Sequence, residues 1–124
     1  MTEIINNEDN KFYIEQVYAV EDYLTFNIKI KSGDFSGASN FCISKENLNL
    51  IFNTLSNMYK KLEGRCEIFD NDSDSYITID MNKLGHLNIS GQIGGSYEDH
   101  FMKFKFSSDQ TILLNLIQLL KPLF

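Results

Sequence analysis

In residues 23–31, YLTFNIKIK, apolar and polar side chains alternate: Leu24, Phe26, Ile28 and Ile30 share one face, and Thr25, Asn27, Lys29 and Lys31 the other. A period of two with one apolar face predicts a half-buried antiparallel strand. Ser32-Gly33-Asp34 supplies a turn, and FSGASNFCI reads as the returning strand of a hairpin. Upstream, FYIEQVYAV is also strand-like, but its apolar phase slips near Glu15-Gln16, which predicts a bulge.

From Ser44 the period changes. Leu48, Ile51, Phe52, Leu55, Met58, Tyr59 and Leu62 recur every three or four residues, the apolar stripe of a helix laid on a core. Ser44 suits the N-cap and Gly64 a C-terminal stop. After Gly64 the period of two returns in RCEIF, YITIDM, HLNISGQI and FMKFKF. The segment SSDQTILLNLIQLLKP then reads as a second helix, with Ser107 and Gln110 spaced as a capping box and Pro122 at its end. The order is βββ–α–ββββ–α, and the fold class is α+β: an antiparallel sheet of about seven strands with two helices packed on it. Residues 1–124 read as a single domain, with 1–10 as a candidate flexible stretch. A strand–turn–strand–helix unit occurs twice, at 24–62 and 87–121, without matching residues.

Composition fits this picture. The 124 residues are 43% hydrophobic and 23% charged, ordinary for one globular domain with a real core. The acidic start MTEIINNEDN lacks the basic and apolar regions of a signal peptide, and ILLNLIQLL is too short to span a bilayer. A cytoplasmic protein is expected, with Cys42 and Cys66 as free thiols.

Charge adds the first functional hint. Of a net −6, nearly all sits in residues 67–82, EIFDNDSDSYITIDMN, which hold five acids and no base. The other 108 residues carry twelve acids and eleven bases. Such a surface disfavours nucleic acid and favours a basic protein partner.

Candidate chemistry is sparse. Asp70, Asp72 and Asp74 fit the first ligand positions of a calcium loop, but Ser75 stands where glycine is required and Met81 where the bidentate glutamate is required. His86 and His100 open the two strands of the last hairpin, so on the order of 24 Å of strand separates them and they cannot share a metal. Neither cysteine has a catalytic neighbourhood, and Glu98 and Asp99, being adjacent, point apart on an extended chain. No catalytic, cofactor or metal residues are assigned, and an enzyme is not expected. The glycines of GQIGGSYEDH, residues 91–100, lead into a strand, whereas a phosphate loop leads into a helix. Gly94 and Gly95 read as a hairpin turn with Tyr97, Glu98 and Asp99 at its exposed tip, and Gly91 as an inward position marking a bulge or a close approach to a helix.

Three features of the C-terminal third occur together: the strand from Gly85 to Ile93, the strand Met102-Lys103-Phe104-Lys105-Phe106, and the helix start Asp109-Gln110-Thr111-Ile112-Leu113. In this the chain resembles the small bacterial immunity proteins of the WapI type. The resemblance implies a cytoplasmic antitoxin that binds a toxin domain, often a nuclease, by occlusion. Its expected partner-binding residues are Asp70, Asp72, Asp74 and Asp80 with Tyr76 as an aromatic anchor, joined by Tyr97, Glu98 and Asp99. The plainer readings are an acidic turn that only aids solubility, or a small non-enzymatic domain binding a small ligand or cation in its acidic loops.

Overall fold

The computed structural model describes residues 2–95 and 100–124. Its elements are β1 (Thr2–Asn6), β2 (Asn10–Val20), β3 (Tyr23–Ser32), β4 (Phe35–Ser44), α1 (Lys45–Lys61), β5 (Gly64–Phe69), β6 (Tyr76–Met81), β7 (Leu87–Gly94), β8 (Phe101–Ser108) and α2 (Thr111–Leu120), followed by a single 3₁₀ turn, Lys121–Leu123. The fold is α+β, as the periodicity predicts. Two corrections accompany it: the described residues form eight strands where about seven are expected, and these form two sheets, β1-β2-β3-β4 and β5-β6-β7-β8, each an antiparallel meander. The additional strand is β1, inside the candidate flexible stretch. Ile4 and Ile5 are both buried there, and the Asn115 side-chain amide donates to the Ile4 carbonyl at 3.0 Å, tying β1 to α2. With β1 in place each half of the chain is four strands followed by one helix.

One core joins the halves. The first sheet contributes Phe12, Phe26, Ile28 and Phe41, the second Ile77, Ile79, Leu87 and Ile89, and the helices Leu48, Leu55, Ile112 and Leu113. The sheets touch directly along β4, β7 and β8, where Gly37 lies against Ile93 and Met102. Elsewhere the helices fill the space, packing on each other, α1 also on β5 and α2 also on β1.

The local signals divide. Ser44 caps α1, its hydroxyl accepting from the Asn47 N–H at 3.1 Å. The left-handed residue ending α1 is Leu62 (φ 59°), whereas the sequence pointed to Gly64. The capping box also fails: Ser107 is still in β8 and bonds Asn88 Oδ1, while Asp109 holds the α2 start by accepting from the Thr111 N–H and hydroxyl. Gly91 is inward and buried, but the close approach comes from the neighbouring strand. A Cβ there would overlap the Tyr76 carbonyl oxygen.

Candidate functional site

The acidic segment begins at the β5–β6 turn, which closes on itself before it presents anything to a partner. Asp70 is buried, 8% exposed, and its Oδ1 accepts from the Cys42 N–H at 2.9 Å and the Asp72 N–H at 3.1 Å. Its Oδ2 accepts from the Ser73 hydroxyl. The Asn71 N–H donates to the Cys42 carbonyl at 2.9 Å, so the turn pairs with β4 and covers part of an edge strand. On the far side Ser75, also buried, takes the Gly94 N–H at 2.9 Å, and the Asp74 N–H donates to the Gly95 carbonyl at 3.1 Å. The turn therefore fastens the first sheet to the β7 end of the second. Asp70 builds this staple; a buried carboxylate already accepting three hydrogen bonds has little left for a partner or a cation.

The other candidate residues separate. Asp72 and Asp74 are exposed on the turn. Tyr76 and Asp80 both point outward from β6, about 13 Å apart along the strand. Tyr76 leans on Phe69 with ring centroids 6.4 Å apart, and Asp80 stands opposite Arg65, which is itself paired with Glu67 at 2.9 Å. Tyr97, Glu98 and Asp99 lie outside the described residues. His86 and His100 flank opposite ends of the β7–β8 hairpin, since Leu87 pairs with Ser108 and Gly94 with Phe101. Among the described residues no three His, Cys, Asp or Glu side chains gather in a metal-binding group.

Asp72 has neighbours that the sequence reading did not single out. It borders a cleft of about 320 Å³ whose other walls are Tyr18 and Val20 of β2, Tyr23 and Thr25 of β3, Asn40 and Cys42 of β4, and Asp70. Tyr18, Val20 and Tyr23 are 56%, 60% and 42% exposed. Their position follows from the bulge: the β2–β3 register slips between Gln16 and Tyr18, so Val17 is the extra residue. Without the slip Tyr18 would fall in phase with the inward Phe12 and Ile14; with it, Tyr18 and Val20 stand on the outer face. The slip was visible in the sequence near Glu15-Gln16. What it exposes became clear only with the β2–β3 register.

Electrostatics mark the same cleft. Burial raises the pKa of the Cys42 thiol, a Thr25 hydrogen bond pulls it back, and the Asp72 and Asp70 carboxylates raise it further. Cys66, deep in the second sheet, is pushed up to about 12 by burial and the nearby Glu67. Both are free thiols and neither has the lowered pKa of a nucleophile.

The architecture is two sheets and two helices around one core, with exposed aromatic and acidic side chains on the surface. The immunity protein WapI-like family matches residues 3–123, and the chain belongs to that family. No curated protein and no solved structure matches it.

Proposed function

We propose that this chain is a cytoplasmic immunity protein that binds a bacterial toxin domain, a nuclease with a basic cleft, and occludes it without doing chemistry itself. The observation that carries the reading is the charge distribution in a chain of this family: five acids and no base in residues 67–82, of which Glu67, Asp72, Asp74 and Asp80 are exposed. A nuclease cleft that grips phosphates is basic, so exposed carboxylates complement it, accelerate encounter and exclude nucleic acid. Asp70 supports this surface from below by holding the turn in shape.

The test is protection. A candidate toxin domain, chosen from the genes that neighbour this chain's, is expressed in bacteria with the wild-type chain or with an Asp72→Lys/Asp74→Lys/Asp80→Lys variant. Growth is expected with the wild type and lost with the variant, whose melting temperature stays within a few degrees of the wild type. Undiminished protection by the variant would rule out the acidic surface, and no protection by the wild type would rule out the immunity reading for that toxin.

A further inference from the structure

We propose that the cleft between the β2–β3 hairpin end and the β5–β6 turn seats one arginine or lysine side chain of the toxin, and that this contact anchors the complex; the inference rests on the immunity reading above. Four observations converge on a cation with a long apolar stem. The walls offer two tyrosine rings and the Val20 side chain, surfaces on which a guanidinium or an aliphatic stem packs. Asp72, exposed at the rim, puts negative charge at one side, and none of the described lining residues is basic. The Glu21-Asp22 tip, which joins Val20 to Tyr23, adds two more exposed acids beside it. At about 320 Å³ the cleft is at the small end for ligand pockets, a size suited to one side chain. Tyrosine and arginine are both residue types enriched at the energetic centres of protein interfaces.

The same face carries a second charge of opposite sign. Lys11, Lys29 and Lys31 gather with Tyr13 at the other end of the first sheet, about 13–20 Å along β3 from Thr25. A partner that places its cation in the cleft therefore meets a basic patch further along, and that polarity fixes one docking direction.

The experiment uses the purified full chain and a catalytically inactive copy of the candidate toxin domain of the protection test, with affinity measured by titration calorimetry. Tyr23→Ala and Asp72→Asn are each expected to weaken binding at least tenfold. Leu84→Ala, which removes a still more exposed apolar side chain elsewhere, is expected to leave affinity unchanged. Tight binding by the wild type with both cleft variants within twofold of it would overturn the cleft proposal and leave the immunity reading standing. No binding by the wild type would overturn both. Should a variant fail to fold, Cys42 reports on the unmodified chain: bound toxin is expected to slow its labelling by N-ethylmaleimide at least tenfold, and unchanged labelling in the complex would overturn the proposal.

Discussion

Asp70 shows how a residue's type can be read correctly and its task wrongly. In sequence it is one of a run of acids, indistinguishable from Asp72 and Asp74. In the fold it turns inward to receive the Cys42 and Asp72 N–H groups and the Ser73 hydroxyl, contacts 28 residues away in one case and local in the others. The long-range partner is what pattern reading lacked, because nothing in the run names Cys42. Removing a buried, charged acceptor strands its donors, so Asp70→Ala is expected to cost about 2–3 kcal/mol. Asp74→Ala, at an exposed carboxylate, is expected to stay within about 0.5 kcal/mol of wild type. Urea unfolding of the two variants separates the roles; equal effects would mean that the staple contributes little.

Elements were the most legible scale. The alternation at 23–31 became β3 with the inward set named from the sequence, and the stripe of 48–58 became the buried face of α1. The errors cluster at ends, where local rules compete with packing. Leu62 takes the left-handed position at the end of α1, and β8 continues through the residues expected to cap α2. β1 went unread because Ile4 and Ile5 form too short a run to show a period, and their burial depends on β2 and α2. Leu62→Gly relieves the left-handed strain at a residue whose side chain is 44% exposed, so a gain of about 0.5–1 kcal/mol is expected in urea unfolding. At the other helix, the Thr111 hydrogen bonds hold the Asp109 carboxyl below its ordinary pKa. A pKa lowered in the folded state means a stabilisation present above the ordinary aspartate range and lost as pH falls through the folded value. Asp109→Asn is therefore expected to lower the melting temperature at pH 7 and to converge with wild type once acid protonates the carboxyl, a small effect at so exposed a site.

At the scale of the whole molecule, composition and period identified an α+β domain but not its division into two four-stranded sheets, since a strand's period says nothing about which sheet it joins. That division decides the functional surface. It separates Asp80 and Tyr76, on the outer face of the second sheet, from Asp72, which borders the cleft on the first. The acids contiguous in sequence thus serve two faces, and the one with aromatic company is the one that the bulge at Val17 builds. The chain belongs to an immunity protein family, and we propose this face as the one that meets the toxin. Hydrogen–deuterium exchange of the full chain, free and bound to a toxin domain against which it protects, tests that claim most directly. The account predicts slowed exchange in residues 18–25, 40–44 and 70–75, with α1 and α2 unchanged. Protection confined to the helices or to the β6–β7 turn would contradict it.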